Sequence, residues 1–294
     1  MNFVNDMFSA SQLNPAITNW ISRVAANGGT TPTKQTIMAA NTFYNGLKYY
    51  NILPLIKTCS IFAPESLTTA LTPLINVNSC AADPWINGGF ISSDLSYDGL
   101  AGAGITGNGL GKYIDTNFYC QASFSNDDSA GMTCYSKSFL GVGTYGEMGM
   151  RSNSGGSEFS AYIAYEEYRS YFDCWDNGGS RAFSDVNYDH MFGYFSFNRD
   201  SHTSNNIYHA NPSVGHRSIA FQNTPSTNTR PGNSAGESLW MIGMNCTTPL
   251  DRYFTDREFS FGAIHLGLNS GQSSILYTLV QNLRVQMGGG YVSL

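Results

Sequence analysis

Near the end of the chain, residues 259–287 read FSFGAIHLGLNSGQSSILYTLVQNLRVQM, and this stretch decides the fold. Its first part, residues 259–268, is a short apolar run, which predicts a buried β-strand. Its second part predicts an amphipathic helix at residues 270–287 that ends before the glycines at 288–290. The apolar residues at helical spacing in this part are Ile275, Leu276, Leu279, Val280 and Leu283. A strand that leads directly into such a helix predicts a helix that lies on a β-structure and covers its apolar surface.

Upstream of this stretch, short apolar or alternating segments are separated by Gly, Asn, Ser and Asp. Gly, Asn and Ser make up about a third of the 294 residues, and these residue types supply turns between strands. Aromatic residues, at 14%, suit half-buried pleated surfaces. This pattern predicts a mainly β protein, a β-sandwich or jelly roll. The predicted strands are residues 113–120, 132–138, 147–151, 159–165, 168–175, 190–197, 218–222, 239–244 and 259–268.

The first hundred residues carry helical patterns instead. Ile17, Trp20, Ile21 and Val24 follow Pro15 at helical spacing, and Asn27-Gly28-Gly29 ends the pattern. A second helix fits residues 33–50, so the two helices are expected to form an antiparallel hairpin.

The segments after this hairpin are shorter and less regular. Residues 53–62 are expected to be extended, 66–75 to form a helical turn, and 76–89 to be irregular. The Gly-rich run at 99–111 is interpreted as a linker. The sequence therefore predicts a helical or irregular attachment region at 1–100 and a sandwich with its closing helix at 101–294.

Charge is scarce in this chain. Lys and Arg total 15 and Asp and Glu total 21, so charged residues make up 12%, against about 25% in an ordinary soluble domain. A net charge of −6 and five unclustered lysines argue against a partner such as nucleic acid or anionic lipid. No apolar stretch approaches the roughly 18 residues that span a bilayer, and residues 1–10 lack the pattern of a signal peptide. We expect no nucleic acid partner and no membrane insertion.

Cysteine and histidine spacing gives no sign of a metal or cofactor. The six cysteines contain no C-x-x-C pair, and without an export signal we expect mostly free thiols. His202, His209 and His216 repeat at intervals of seven, an odd offset that puts neighbours on opposite faces of a strand. We therefore expect no metal site and no cofactor. His265 lies in an apolar strand and is expected to be a hydrogen-bonded structural residue.

Four segments, in order, resemble a known family. They are NGGT at 27–30, IFA with LTTALTPL at 61–74, GNGLGKYIDTNF at 107–118, and FGAIHLGLN at 261–269 before the last helix. In this order they resemble bacteriophage virion proteins that carry a concanavalin A-like (laminin G-like) jelly roll behind a short N-terminal helical segment. The resemblance spans nearly the whole chain. It implies a concanavalin A-like jelly-roll β-sandwich, a location in the virion and other virion proteins as partners.

Concanavalin A-like folds also include glycoside hydrolases, so the sequence must be searched for a catalytic pair of carboxyl groups. A retaining hydrolase needs two carboxyl groups about 5 to 5.5 Å apart, and in the sandwich hydrolases one strand supplies them as E-x-D-x-E. This motif does not occur in the sequence. Glu166 and Glu167 are adjacent, while Asp173 and Asp176 are three positions apart, so solvated or turn roles are expected for them. Neither G-x-S-x-G nor a phosphate-binding loop occurs, and we expect a protein that is not an enzyme.

One region combines the aromatic, Asp and Asn residues that sugar-binding loops use. The alternation of Tyr171, Asp173 and Trp175 fits two interpretations equally: a glycan site, or an ordinary sheet face. The candidate carbohydrate-binding residues are Tyr171, Asp173, Trp175, Asp176, Asn177 and Tyr188.

Together these observations predict a structural protein of a tailed bacteriophage particle, made in the host cytoplasm and assembled into the virion as a homo-oligomer. A tail-associated fibre or receptor-binding protein, which could bind a host surface glycan, is the first hypothesis. A capsid decoration protein is its alternative, and a polysaccharide-degrading glycoside hydrolase is a third.

Overall fold

The computed structural model describes residues 13–98, 102–138, 146–151, 158–165, 169–175, 181–184, 192–222, 237–246 and 252–288. Three long and two short helices lie in this part of the chain. They are α1 (Pro15–Ala26), α2 (Lys34–Tyr49), α3 (Leu67–Leu71), α4 (Cys120–Ser123) and α5 (Ser270–Gln286).

The described strands form two nine-stranded sheets, called sheet A and sheet B. Sheet A runs in the order β14 (Gly215–Gln222), β13 (Ser204–Asn211), β12 (Gly193–Ser201), β7 (Ala130–Ser136), β18 (Glu258–His265), β1 (Ile56–Ser60) and β2 (Ile75–Asn76), with β5 (Gly102–Thr106) beside β18 and β4 (Leu95–Asp98) beside β5. Sheet B runs in the order β11 (Ala182–Phe183), β10 (Tyr171–Cys174), β9 (Glu158–Tyr162), β8 (Met148–Arg151), β15 (Leu239–Met241), β6 (Tyr113–Phe118) and β3 (Ile86–Gly88), with β16 (Gly243–Cys246) beside β8 and β17 (Tyr253–Phe254) beside β16. The strand pairs are antiparallel except β8 with β16.

The main core lies between the two sheets and is rich in aromatic side chains. Phe159 of β9 packs against Phe172 of β10, with ring centres 5.8 Å apart, and Phe172 reaches Phe197 of sheet A at 5.9 Å. These rings hold the sheets face to face, because offset and edge-to-face contacts stabilise aromatic pairs beyond their buried area.

A second core lies on the opposite face of sheet A, beneath α1, α2 and α5. Phe43 of α2 meets Phe261 of β18 edge to face at 5.8 Å. Helices α2 and α5 approach closely at Gly46, where a Cβ atom would lie 2.5 Å from Leu279. The three helices, here called the helical layer, therefore cover one face of the sandwich.

The fold confirms the predicted class: a mainly β, jelly-roll-like sandwich with an N-terminal helical part and a C-terminal helix packed on it. The predicted helices at 270–287 and 33–50 match α5 and α2 within one residue at each end. The α1–α2 hairpin is antiparallel, since Asn14 before α1 donates hydrogen bonds to Asn41 in the middle of α2 and to Asn45 one turn later.

Several strand predictions were wrong. The interpretation of 99–111 as a linker fails, because Gly102–Thr106 forms β5 in sheet A. Strand β13 at 204–211 was not predicted, because its polar residues hide the alternation. The predicted strand at 239–244 is two strands, β15 and β16, because Ile242 between them has a φ of 59°.

The first hundred residues also contribute strands β1 to β4 to the two sheets. The predicted division of the chain at residue 100 stays a prediction.

The described histidines lie apart from one another in the fold. His202 is exposed beside Asp128, His209 packs under Phe195, and His216 lies 3.0 Å from Ser273. His265 is a buried, hydrogen-bonded residue of β18, as expected.

All six cysteines are free thiols, and only Cys80 is not fully buried. Within the described ranges, no three potential ligand side chains cluster as a metal site would require, and no helix is both long and apolar enough to cross a membrane.

Candidate functional site

The candidate site lies on the face of sheet B that points away from the main core. In β9 the alternation sends Phe159 and Ala161 into the core, so Glu158, Ser160 and Tyr162 lie on the other face. In β10, Phe172 and Cys174 face the core, so Tyr171 and Asp173 lie with the β9 residues. The register places Tyr171 opposite Tyr162 and Asp173 opposite Ser160. We call Glu158, Tyr162, Tyr171, Asp173 and Arg181 the outer-face cluster.

Arg181, next to β11, binds Asp173 through two parallel hydrogen bonds. Its Nε and Nη2 atoms lie 2.8 and 2.7 Å from the Asp173 oxygens. Asp173 is fully buried, whereas the Arg181 side chain is 27% exposed. Burial lowers the pKa of Arg181, but the bonds to Asp173 outweigh burial and the net shift is upward. The pair is therefore charged, and its bidentate geometry fixes both side chains.

Glu158 is held by hydroxyl groups rather than by a close cation. Ser160 and Tyr162 both donate to its Oε1 atom, and the Arg151 Nε lies 3.8 Å from its Oε2 atom. Burial, together with the neighbouring Glu158 carboxylate, raises the pKa of Tyr162 well above its usual value. The Tyr162 hydroxyl therefore stays protonated and acts as a fixed donor.

Aromatic rings and guanidinium groups extend the cluster toward the edge of sheet B. The Arg181 guanidinium lies 4.9 Å from the centre of the Tyr171 ring, and that of Arg169 lies 5.6 Å from the Phe183 ring. Tyr165 meets Tyr171 edge to face at 5.7 Å. Phe183, on the edge strand β11, is 49% exposed. At this edge Phe183 is the exposed ring of the three, and the guanidinium groups of Arg169 and Arg181 lie beside the rings.

Trp175 does not belong to this surface. The alternation predicts that it shares a face with Tyr171 and Asp173, but its φ of 64° turns the side chain into the main core. It is fully buried, stacks on Phe159 at 4.8 Å, and its Nε1 atom donates to the Asp127 carbonyl at 2.8 Å.

The other predicted residues divide between the cluster and the part of the chain that is not described. The structure brings Tyr171 and Asp173 together on one face. Asp176, Asn177 and Tyr188 lie outside the described residues, as do Glu166 and Glu167. The expectation that Asp173 is solvated or in a turn was wrong, because Asp173 lies in a strand and is fully buried.

Sequence reasoning missed Glu158, Tyr162, Arg181 and Phe183. The signal for the first two was present, since Glu158, Ser160 and Tyr162 alternate with Phe159 and Ala161. Arg181 and Phe183 gave no such signal, because β11 has only two residues.

The described geometry combines a bidentate ion pair with aromatic rings that carry guanidinium groups over their faces. Arg181 donates two parallel hydrogen bonds to Asp173, so the Asp173 carboxylate is committed to an ion pair. Aromatic rings with adjacent hydrogen-bond donors suit a polar ligand with apolar ring faces, such as a sugar.

No protein-family model and no curated protein sequence matches this chain. Among solved structures, the chain is similar to domain 4 of AbnA, a GH43 extracellular arabinanase from Geobacillus stearothermophilus, in complex with arabinotriose. The TM-score is 0.45 and the identity 11%, over 76% of this chain and 98% of that domain.

Proposed function

We propose that this protein is a structural, non-enzymatic component of a tailed bacteriophage particle, located at the tail, where it contributes to attachment to the host surface. The helical layer faces the particle, and the rim of sheet B at Phe183 and Arg181 faces outward. The proposal builds on the order of the four sequence segments that resemble phage virion proteins.

The observation that carries the proposal is the asymmetry of the sandwich. Sheet A is covered by α1, α2 and α5, whereas the rim of sheet B presents Phe183 and Arg181 to solvent. A displayed adhesin needs one face that attaches and another that meets the host. Aromatic rings and guanidinium donors suit a sugar, and a glycan on the host surface is the ligand that we assign to this rim.

A capsid decoration protein is the alternative, and the location on the particle separates the two. Antibody labelling of purified phage particles in electron micrographs gives the position, and quantitative mass spectrometry gives the copy number. Copies at the tail in small multiples of three or six support the proposal. A copy number that matches the capsid lattice favours the decoration protein, and absence from purified particles overturns both.

Glycan binding is tested with the full chain on host cells and on an array of bacterial surface glycans. We expect Phe183→Ala to weaken binding about tenfold, which corresponds to about 1.4 kcal/mol, because it removes the exposed ring. The matched control is Tyr49→Ala, since Tyr49 is also exposed but lies at the end of α2. Equal binding by the two folded variants, or no binding by the unmodified chain, contradicts the glycan assignment.

A further inference from the structure

A second group of aromatic and charged residues lies on the face of sheet B that points away from the main core. In β15 the residues on either side of Trp240 face the core, so Trp240 lies on the outer face. Tyr113 and Asp115 of β6 lie on this face as well, because the residue between them is a core residue. Asp115 is the register partner of Trp240. We call Tyr113, Asp115, Trp240, Arg252 and Phe254 the Trp240 site.

Aromatic rings form the apolar part of this site. The Tyr113 ring stacks on the Trp240 ring, with ring centres 3.6 Å apart and planes 10° apart. The Phe254 ring of β17 lies 6.3 Å from Tyr113 and 6.4 Å from Trp240. Tyr113 and Phe254 are partly exposed, whereas Trp240 is buried. The site therefore presents the Tyr113 and Phe254 rings to solvent above a floor that Trp240 forms.

Two opposite charges border Trp240 without binding each other. The Arg252 guanidinium lies 5.0 Å from the centre of the Trp240 ring, and Asp115 lies beside Trp240 in register. Neither charge has an ion-pair partner among the described residues. The Asp115 Oδ1 atom accepts a hydrogen bond from the Asn117 N–H at 2.7 Å, which leaves its Oδ2 atom able to accept another.

Two N–H groups at the contact between Arg252 and Trp240 lack an acceptor. The Trp240 Nε1 and Arg252 Nε atoms are buried and have no hydrogen-bond partner. Buried donors in folded proteins nearly always have one. The two Nη atoms of Arg252 have no partner in the described part of the chain either, but they are not buried and so reach solvent. The Trp240 site therefore offers unused donors and an unused carboxylate acceptor beside aromatic rings.

We propose that the Trp240 site binds an uncharged sugar, which rests on the proposed function for the glycan as the class of ligand and adds a second sugar site to it. A hydroxyl group both donates and accepts hydrogen bonds, so neighbouring hydroxyls of one sugar donate to Asp115 and accept from Arg252. The apolar face of the sugar ring packs on Tyr113 and Phe254. A sugar carboxylate would meet Asp115 and a sugar ammonium would meet Arg252, so the two charges select against charged sugars.

The Trp240 site is separate from the rim at Phe183. Phe183 lies on β11, and strands β10, β9 and β8 lie between β11 and β15. Four strand spacings therefore separate Phe183 from Trp240, a distance of about 19 Å. A substitution at one of the two sites is expected to leave the other site intact.

Titration of the full chain with the methyl glycosides of glucose, galactose, mannose and N-acetylglucosamine tests the proposal. Tryptophan fluorescence follows the titration, because Trp240 forms the floor of the site. We expect a saturable change in emission with a neutral glycoside, which Trp240→Phe removes. Arg252→Gln should raise the Kd about tenfold, equivalent to about 1.4 kcal/mol. Glucuronate and glucosamine, which carry a charge, should bind more weakly than the neutral glycosides.

The matched control is Arg217→Gln, which removes the same charge at an exposed position of β14 in sheet A and should leave the Kd unchanged. Phe183→Ala should also leave this titration unchanged. The proposal is overturned by the absence of a saturable change with all the neutral glycosides, by equal weakening in Arg217→Gln, or by equally tight binding of the charged sugars. Glycan binding that depends on Phe183 but not on Arg252 also overturns it and leaves the proposed function standing. A response at Trp240 without attachment to host cells leaves the Trp240 site standing and contradicts the proposed function.

Discussion

His265 is a buried histidine whose protonation links the stability of the fold to pH. It lies in β18, fully buried, with Nδ1 2.7 Å from the Leu266 carbonyl and Nε2 2.7 Å from the Thr133 hydroxyl. Burial lowers the pKa of His265 from 6.5 to about 4. The folded protein therefore keeps this imidazole neutral at a pH where the unfolded chain takes up a proton.

This difference predicts a loss of stability in mild acid. Between pH 6.5 and about 4, the unfolded state binds the His265 proton and the folded state does not, so the free energy of unfolding falls as the pH falls. The full effect is of the order of 3 kcal/mol. Urea unfolding at several pH values measures it, and His265→Gln should remove this share of the pH dependence.

His202→Gln is the control, because His202 is more than half exposed. Comparison of the two variants separates the loss of a buried imidazole from the same change at an exposed position. If His265→Gln and the unmodified chain lose stability in parallel between pH 6.5 and 4, the prediction is wrong.

The candidate site shows how far single residues can be placed from sequence. The alternation in 171–175 correctly put Tyr171 and Asp173 on one face, because β10 is regular there. It failed at Trp175, where a left-handed backbone ends the strand. An aromatic residue rarely adopts this conformation, so the sequence carries no signal for it. The ion pair between Asp173 and Arg181 could not be predicted from the sequence either, because it depends on which strand lies beside β10.

At the scale of elements, the junction between β18 and α5 holds the last helix on the sandwich. Gly267 lies in this junction, and a Cβ atom there would lie 1.8 Å from the Arg199 carbonyl oxygen. Gly271 lies in the first turn of α5, and its Cβ would find its nearest neighbour, the Asn269 Oδ1 atom, at 3.5 Å. The two glycines, four positions apart, therefore differ in the space around them.

This contrast predicts a large effect at one position and a small effect at the other for the same substitution. Gly267→Ala must displace the backbone of β12, and we expect it to lower the free energy of unfolding by about 3 kcal/mol or more. Gly271→Ala meets no such contact and should change stability by less than about 1 kcal/mol, because alanine suits a helix better than glycine does. Chemical unfolding of both variants, followed by tryptophan fluorescence, measures the difference. Equal stability of the two variants would show that the junction tolerates a side chain.

Helices were predicted closely and strands less so, for a physical reason. Helices α2 and α5 begin after Thr33 and Asn269, whose side chains accept a hydrogen bond from the first helical turn, and such caps are visible in the sequence. Strand β5 contains two glycines that mimic a linker, and it forms because β4 and β18 pair with it. Strand pairing between segments that are far apart in the sequence produces no local sequence pattern.

For the whole molecule, the central question is whether residues 1–100 open independently of the sandwich. Strand β18 pairs with β1 on one side and with β7 on the other. Cys59 of β1 lies opposite Ala263, and Cys134 of β7 lies opposite Gly262. Both thiols are fully buried, so each reacts only when the protein opens around it.

We expect Cys59 and Cys134 to be alkylated at the same rate under native conditions, because freeing Cys59 requires β1 to leave the interior of sheet A. Burial raises the pKa of Cys59 to about 12 and that of Cys134 well above its usual value, so neither reacts from the folded state. Cys80 is partly exposed and should react first, which serves as an internal control.

Mass spectrometry of the labelled peptides gives the rates. A Cys59 rate about tenfold above that of Cys134, equivalent to an opening easier by about 1.4 kcal/mol, would instead show that the first hundred residues form a separate unit. Equal rates would show that β1 and β7 open in one cooperative unit of sheet A.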